Sequence, residues 1–207
     1  MGRTIGPTNK IARRFGVNLG LKSNPVKVAR RLNQPPGVHG PSGKRKSVSG
    51  FGKQLLEKQK AKILYGMRER QFRRYVDIAT RMTGDSGVHL QQMLEMRLDN
   101  VVYRAGFALT RAQARQMVNH GMFIVNGKRI DIPSHIVEAG DVVTLKENKR
   151  KKRLFENISE TLSKKEVRSW LSVDAAQAAV KITSKPVDAD LERLFDVKLI
   201  IEYYSTR

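Results

Sequence analysis

The chain has 207 residues, 40% of them hydrophobic, and a formal net charge of +21. This apolar content excludes a wholly disordered chain, and no apolar run approaches the roughly 20 residues that span a bilayer, so we expect a soluble, non-secreted protein with no membrane contact. Cysteine is absent, which excludes disulfides and thiolate metal sites, and the positive charge favours a polyanionic partner.

The first 45 residues are basic and rich in glycine and proline. Up to residue 60 the sequence contains fourteen Lys or Arg and a single acidic residue, Glu57. The frequent helix and strand breakers argue against long regular elements, and isolated apolar residues such as Phe15 and Leu19 are too few to build a core. Residues 1–45 are therefore predicted to be an extended basic arm that becomes ordered on a partner.

Two patterns typical of ligand sites are incomplete. Residues 37–44 are similar to a phosphate-binding loop, but Val38 stands where that motif needs glycine, and Arg45 stands where it needs Ser or Thr. The histidines are scattered, without the close second histidine or cysteine that a metal site needs. We therefore expect no metal and no cofactor.

After the arm, the hydrophobic spacing becomes helical. One helix is predicted over 54–65 and a second, with arginines opposite its apolar face, over 69–82. A third begins after the glycine-rich break at 84–87 and leads into Leu94. The three helices are predicted to form a bundle that carries the arm.

The next stretch predicts two helices with basic faces. Apolar residues recur at helical spacing from Leu94 to Ala105, and Thr110 is placed to cap a helix over 111–120. The polar face of the first helix carries Arg97, Asn100 and Arg104, and that of the second carries Arg111, Arg115 and Asn119. These residues alone leave two interpretations open, a solvated surface or a ligand-binding face.

A hairpin follows the second helix. Asn126-Gly127 lies between two β-rich runs, which is the strongest short-range hairpin signal, and it places Lys128 and Arg129 at the start of the return strand. A closing strand is predicted over 142–145. The result is a small α+β unit, two helices packed on a small antiparallel sheet, whose surface presents guanidinium groups.

The remaining sequence carries weaker signals. A basic connector occupies 149–153, and a helical pattern with Trp170 as its anchor is predicted over 162–171. Residues 183–186 are predicted to be a loop, and 197–204 a short apolar strand.

The α+β stretch resembles a known RNA-binding module. The resemblance is carried by Arg97-Leu-Asp-Asn-Val-Val-Tyr-Arg104, Gly106-Phe-Ala, Thr110-Arg111, Ala114-Arg115 and Val125-Asn-Gly-Lys-Arg129. This module takes its name from the S-four family of small-subunit ribosomal proteins and also occurs in some RNA-modifying enzymes, tyrosyl-tRNA synthetases and stress-induced proteins. Alone it implies RNA binding only.

Further matches extend over nearly the whole chain in the order of the bacterial-type S-four family. They include Gly6-Pro, Arg13-Arg14, Pro36-Gly-Val-His-Gly40, Glu69-Arg-Gln-Phe-Arg73 and Ile201-Glu-Tyr-Tyr204-Ser. Many members hold the arm with a four-cysteine zinc site, but this chain is similar to the cysteine-free form. Zinc is therefore not implied.

The resemblance implies a fold and a domain order. A mostly helical first domain would carry the extended basic N-terminal arm of 1–45 and combine 46–93 with 175–207. The small α+β RNA-binding module would be inserted as 94–174. The implied class is α+β.

The resemblance also implies a function without catalysis. The protein would bind the five-helix junction in the 5′ domain of small-subunit ribosomal RNA early in assembly and remain a structural constituent of the subunit. Residues implied to contact RNA are Arg3, Lys10, Arg13, Arg14, Lys22, Arg30, Arg31, Lys53, Arg70, Arg73, Arg74, Arg97, Arg104, Arg111, Arg115, Lys128 and Arg129.

Other implied partners are ribosomal protein S-five, further small-subunit proteins and messenger RNA. Lys44, Arg45 and Lys46 would face messenger RNA where it enters the subunit, and the protein would influence decoding accuracy. Both bacterial cytoplasmic ribosomes and chloroplast ribosomes are compatible with the cysteine-free form.

Two other classes of protein remain as alternatives. An RNA-modifying enzyme with this module appended needs a catalytic domain of well over a hundred residues, for which no segment here has room. A non-ribosomal RNA chaperone or stress protein is the other, and stable association with the small subunit would distinguish it from a ribosomal protein.

Overall fold

The computed structural model describes residues 6–41 and 47–205. The chain divides into a first unit, Met1–Leu90 with Glu192–Arg207, and a second unit, Gln91–Leu191. The first is helical, and the second combines helices with a five-stranded antiparallel sheet, so the predicted α+β class is confirmed. None of the described helices is long and apolar enough to cross a membrane.

Helices and strands follow one another along the described residues. The α-helices are α1 (Thr8–Phe15), α2 (Pro25–Ala29), α3 (Gly50–Leu64), α4 (Glu69–Arg81), α5 (Ser86–Glu95), α6 (Leu98–Ala105), α7 (Arg111–Asn119), α8 (Glu147–Arg150), α9 (Ile158–Lys164) and α10 (Val197–Ser205). The strands are β1 (Phe123–Val125), β2 (Lys128–Arg129), β3 (Val142–Leu145), β4 (Leu171–Asp174) and β5 (Ala179–Ile182).

The N-terminal segment is folded over its described residues. It contains the helices α1 and α2, and it buries Ala12, Leu19 and Val28. The prediction of an extended arm is therefore wrong for residues 6–41. Three well-spaced apolar side chains are enough for a small local cluster, although they could not form a domain core.

Arg13 explains how the proline-rich part of this segment folds back. Its Nε donates to the carbonyl oxygen of Gln34 at 2.9 Å, and its Nη2 donates to that of Pro35 at 2.8 Å. A single guanidinium thus binds two backbone carbonyls that no regular helix or strand would pair. The half-buried Arg13 has a structural role in this segment.

The three helices predicted for the bundle are present as α3, α4 and α5. α3 begins at Gly50, four residues before the predicted start, because Ser49 Oγ caps it by accepting from the amide of Gly52 at 3.2 Å. α4 buries Phe72 and Val76 on its apolar face, as predicted. Arginines on its other face are exposed.

The segment predicted as a strand over 197–204 is helix α10, so that prediction is wrong. Asp196 Oδ1 accepts from the amides of Lys198 at 2.9 Å and Leu199 at 3.4 Å, which caps the helix. Ile200 and Tyr203 are buried three residues apart. A short apolar run does not distinguish a helix from a strand, and the capping aspartate was the missed signal.

A cluster around Glu69 connects α10 with α3 and α4. Glu69 accepts from Lys58 Nζ at 2.8 Å, Lys62 Nζ at 3.0 Å and Tyr204 Oη at 2.7 Å. Lys58 Nζ also lies 4.5 Å from the ring centroid of Tyr203. Burial acts to raise the pKa of Glu69, but these three hydrogen bonds lower that pKa to about 2.

The sheet of the second unit has the order β2-β1-β3-β5-β4, with every neighbouring pair antiparallel. The hairpin predicted at Asn126-Gly127 is confirmed, with φ angles of 48° and 78° and Val125 opposite Lys128. β3 coincides with the predicted closing strand over 142–145.

α6 and α7 form the helical layer of the second unit. Thr110 Oγ1 caps α7 by accepting from the amide of Gln113 at 3.2 Å, as predicted. The Phe107 and Phe123 rings meet edge-on with centroids 5.3 Å apart. The predicted anchor Trp170 is fully buried in the same hydrophobic core.

The predicted helix from Leu94 to Ala105 is interrupted. α5 ends at Glu95, Arg97 forms an isolated β-bridge with Ile136, and α6 begins at the next residue. The pairing partner lies far along the sequence, so helical spacing alone could not reveal the break.

The segment predicted as a helix over 162–171 also differs. α9 ends at Lys164, and β4 begins at Leu171. β4 pairs with β5 next to β3, so the predicted boundary between residues 174 and 175 falls inside this strand pair. The second unit extends instead to Leu191.

Candidate nucleic-acid interface

Arg97 directly precedes α6 and is buried inside the second unit. Its Nε donates to Asp99 Oδ1 at 3.0 Å, its Nη2 to Asp99 Oδ2 at 2.6 Å, and its exposed fraction is 0%. Asn100 is 1% exposed. The prediction that both lie on a polar outer face is therefore wrong, because the β-bridge directs this turn into the core. A buried guanidinium is tolerated when a carboxylate binds it in bidentate geometry.

Arg104 forms a second bidentate pair, with the fully buried Glu95. Its Nε and Nη2 lie 2.9 Å and 2.8 Å from the two carboxylate oxygens. Asn100 Nδ2 donates to the same side chain at 2.8 Å. Only 12% of the Arg104 side chain is exposed, so its orientation is fixed by the fold.

Arginines of α7 join this system from the neighbouring helix. Arg115 Nη1 lies 3.1 Å from Asp99 Oδ2, and Arg111 Nε donates to Asn100 Oδ1 at 2.9 Å. The Arg111 guanidinium carbon lies 4.6 Å from the ring centroid of Tyr103, within cation–π range. Both arginines keep partly exposed side chains.

We call these seven residues the arginine network. Its members are Glu95, Arg97, Asp99, Asn100, Arg104, Arg111 and Arg115. Four guanidinium groups share two carboxylates, so the network remains positive while its side chains are held rigid. The network combines the two interpretations that the sequence left open, since Arg97 and Arg104 stabilise the fold while the partly exposed Arg111 and Arg115 present positive charge.

The hairpin adds two exposed cations, Lys128 and Arg129. The Arg129 side chain lies over Gly121, where a Cβ atom would come within 2.8 Å of Nε. Gly121 has a φ of 59°, so it also ends α7 in the left-handed conformation that favours glycine. This glycine therefore positions Arg129 beside the end of α7.

Lys165 is a functional candidate that sequence reasoning missed. Its Nζ donates to the carbonyl oxygen of Tyr103 at 2.7 Å and lies 4.9 Å from the centroid of the same ring. The two residues are 62 positions apart, and Lys165 lies after α9, outside the segments that carry the family resemblance. Only the tertiary structure brings it to the arginine network.

The first unit carries a separate set of predicted binding residues. The described members with exposed side chains are Lys10, Arg14, Lys22, Arg30, Arg31, Lys53, Arg70, Arg73 and Arg74. Arg3, Lys44, Arg45 and Lys46 lie outside the described residues. Among the residues described, no group of three or more His, Cys, Asp or Glu side chains is arranged to hold a metal ion.

Comparison with known proteins assigns the family. A model described as ribosomal protein S4/S9 N-terminal domain matches residues 3–95, and one described as S4 domain matches residues 96–143. The chain is 49% identical to small ribosomal subunit protein uS4 of Herpetosiphon aurantiacus, over 99% of this chain and 100% of that protein.

Two further relatives carry the same name. The Chloroflexus aurantiacus protein is 44% identical over 99% of this chain and 100% of its own length. The Aquifex aeolicus protein is 45% identical over 99% of each chain. These matches confirm the resemblance found in the sequence, and they cover both units. The chain therefore belongs to the uS4 family of small ribosomal subunit proteins.

Proposed function

We propose that this chain binds small-subunit ribosomal RNA at the five-helix junction of the 5′ domain and nucleates the assembly of that domain. Membership of the uS4 family makes it a structural, non-enzymatic ribosomal protein that binds ribosomal RNA in the small subunit. The observation that carries the proposal is the match over the full length of its relatives, because an appended RNA-binding module would match only over 96–143.

The distribution of charge supports binding to a folded RNA. RNA of this kind is recognised mainly through phosphates, 2′-hydroxyls and shape, because the A-form major groove is too narrow for side chains. Exposed arginines on α4 and directly after α2 suit that task, since a guanidinium binds phosphate in bidentate geometry and stacks on bases. The net charge of +21 would also accelerate the encounter.

The arginine network supports the same proposal from the second unit. Side chains held by Glu95 and Asp99 lose little further conformational freedom when they contact a phosphate. Rigid cations therefore favour a preformed RNA surface over a flexible one. We expect Arg111, Arg115 and the exposed hairpin cations to contact RNA, with Arg97 acting from beneath as a support.

Chemical footprinting of the purified protein on complete small-subunit ribosomal RNA tests the proposal. We expect protected nucleotides to cluster at the five-helix junction at moderate salt. A variant with Arg30→Gln and Arg31→Gln should lose part of the protection. A variant with Lys181→Gln and Lys185→Gln, at two exposed lysines of the second unit, serves as the charge-matched control. Protection spread evenly over the RNA, or confined to another domain, would contradict the proposal.

Sedimentation separates this function from that of an RNA chaperone or stress protein. A structural constituent should be present at one copy per small subunit after a moderate-salt wash. A chaperone should be substoichiometric and should leave the particle during the wash. The bacterial relatives make the bacterial ribosome the expected location.

Contacts with ribosomal protein S-five and with messenger RNA belong to the same proposal. We expect Lys44, Arg45 and Lys46 to face messenger RNA where it enters the subunit, with an influence on decoding accuracy. Neutralising all three should impair translation through structured messages more than subunit assembly. An assembly defect with normal translation through such messages would contradict this assignment.

A further inference from the structure

Lys165 and Arg111 are two cations that lie against the ring of Tyr103 in the second unit. The ammonium group of Lys165 and the guanidinium of Arg111 both lie within cation–π range of the Tyr103 ring, at 4.9 Å and 4.6 Å from the centroid. One Lys165 hydrogen is directed to the Tyr103 carbonyl oxygen at 2.7 Å. An ammonium group has three donors, so this bond leaves capacity for a ligand.

The path of the lysine stem is fixed by Gly106. A Cβ atom at this position would lie 2.9 Å from Lys165 Cδ and 3.4 Å from Leu162 Cδ2. Gly106 also has a φ of 104°, which favours glycine on conformational grounds. The absence of a side chain at residue 106 thus lets a lysine from beyond α9 reach α6.

The electrostatic environment of Lys165 is unusual for a lysine near the surface. Partial burial, followed by the positive charges of Arg104 and Arg111, lowers the pKa of Lys165 to about 8. The repulsion from Arg104 acts on Lys165 even though Glu95 pairs with Arg104. An anion beside Nζ would relieve this repulsion and hold the lysine in its charged form.

These groups border a half-open, largely polar pocket of about 360 Å³. It is lined by Tyr103, Arg104, Lys165, Glu166, Val167 and Arg168. We propose that this pocket is a phosphate-binding site that takes a backbone phosphate of RNA, with Lys165 Nζ as its central donor and Arg104 and Arg168 beside it. The inference rests on the proposed function and adds a residue outside the S4 domain match of 96–143.

An RNA phosphate fits better than an isolated inorganic anion. Arg168 at the rim is exposed, and Arg111 continues the positive surface onto α7. A ligand with successive phosphates can use the pocket and this surface together, whereas a single small anion uses the pocket alone. Glu166 also lines the pocket and would oppose any anion that approaches from its side, so phosphate binding depends on the three cations Arg104, Lys165 and Arg168.

The test compares two lysine variants of the full chain. Lys165→Met removes the charge but keeps an unbranched stem to pack against Gly106. Lys181→Met removes an exposed lysine on β5 and is the matched control. The probe is a 5′-domain fragment of small-subunit ribosomal RNA, with affinity measured at several salt concentrations and thermal unfolding recorded for every variant.

We expect Lys165→Met to weaken binding by about tenfold, the size expected for one charge-assisted contact. The slope of log affinity against log salt should become shallower by roughly 0.7 to 0.9. Lys181→Met should change neither quantity. Unchanged affinity and slope in a folded Lys165→Met variant, or equal losses in both variants, would overturn the inference.

A pH titration adds a readout that a structural role would not move. The groups that face Nζ are Tyr103 and Arg104 from α6, Arg111 from α7, and Glu166 and Arg168 from its own segment. Wild-type affinity should fall by up to about tenfold from pH 7 to pH 9, since bound phosphate requires the protonated lysine. Lys165→Met should lack this fall.

The two proposals fail in different ways. If the wild-type protein shows no preference for the 5′-domain fragment over an unrelated RNA of equal length, the proposed function fails. If the preference is present but the salt slope and pH dependence of Lys165→Met equal those of wild type, the phosphate site is wrong while the proposed function stands.

Discussion

Replacing Asp99 should destabilise the second unit by several kcal/mol. Asp99 neutralises Arg97, which is completely buried, and it also binds the partly exposed Arg115. Removing one partner of a buried ion pair costs about 3–5 kcal/mol, because the remaining charge loses its bidentate counterion and water does not replace it. We expect about 3 kcal/mol for Asp99→Asn, which retains an acceptor for Arg97, and about 5 kcal/mol for Asp99→Ala.

Arg115 contributes little to that figure. About a quarter of its side chain is exposed, at 26%, and such pairs typically contribute less than about 1 kcal/mol. The cost of the substitution therefore lies with Arg97. Combining Asp99→Asn with Arg97→Met, which removes the stranded charge, should recover much of the lost stability.

Trp170 provides the assay. It is the only tryptophan of the chain, and it is fully buried in the hydrophobic core of the second unit. Its fluorescence during urea unfolding therefore reports this unit even if the first unit unfolds separately. The urea midpoint should fall in both Asp99 variants while the slope of the transition stays constant.

The exposed pair Arg129–Asp131 supplies the control. Its charged atoms lie 3.8 Å apart, and both side chains are more than half exposed. Asp131→Asn should therefore change the free energy of unfolding by less than about 1 kcal/mol. A loss below about 1 kcal/mol for Asp99→Ala, or no recovery with Arg97→Met, would refute the explanation based on a stranded buried charge.

Three further substitutions test other parts of the structure. Glu69→Gln should remove the stability that the ionised Glu69 contributes to the first unit. In wild type this contribution is present above pH 4.5 and is lost as the pH falls towards 2. Urea unfolding followed by circular dichroism at each pH measures it. Asp196→Ala removes the cap of α10 and should cost about 1 kcal/mol in the same assay, whereas equal stability would contradict the capping role. Gly121→Ala should destabilise the second unit by about 1 kcal/mol, seen in Trp170 fluorescence, because φ is 59° and the new Cβ would meet Arg129; an unchanged midpoint would contradict this.

Features fixed by neighbouring residues could be predicted from the sequence. The cap at Thr110 and the hairpin at Asn126-Gly127 each depend on a few adjacent residues, and both are confirmed. The apolar face of α4 follows from its helical repeat and is also confirmed. Such patterns hold because local hydrogen bonds and turn geometry favour them before any tertiary contact forms.

Features that depend on distant partners could not be predicted. Arg97 is buried because it pairs with Ile136 in a β-bridge, and Lys165 reaches Tyr103 across 62 residues. A helical wheel would place both Arg97 and Lys165 in solvent, because it contains no information about the parts of the chain that pack against them. The burial of Arg97 also shows that an arginine of a basic motif can stabilise the fold of the unit that contains it.

The same limits apply to the expected effect of charge reversal on α7. From the sequence, replacing Arg111 and Arg115 with Glu should weaken RNA binding at least tenfold while the fold stays intact. The structure alters the second half of that expectation, because Glu at 115 would face Asp99 in a partly buried site. Glutamine is the better substitution for separating binding from stability.

The position of α10 has a consequence for the order of events during synthesis. In the first unit, Glu57 accepts from the amide of Asp196 at 2.9 Å, and Glu69 accepts from Tyr204 at 2.7 Å. These partners of α3 and α4 are translated only after the whole of the second unit has left the peptidyl transferase centre. Domains generally fold as they emerge, so the second unit can be complete while the first still lacks its closing helix. A nonsense codon just before residue 197 would therefore leave the second unit intact. The first unit would lack α10, and the apolar surface that α10 covers would be exposed to chaperones and proteases.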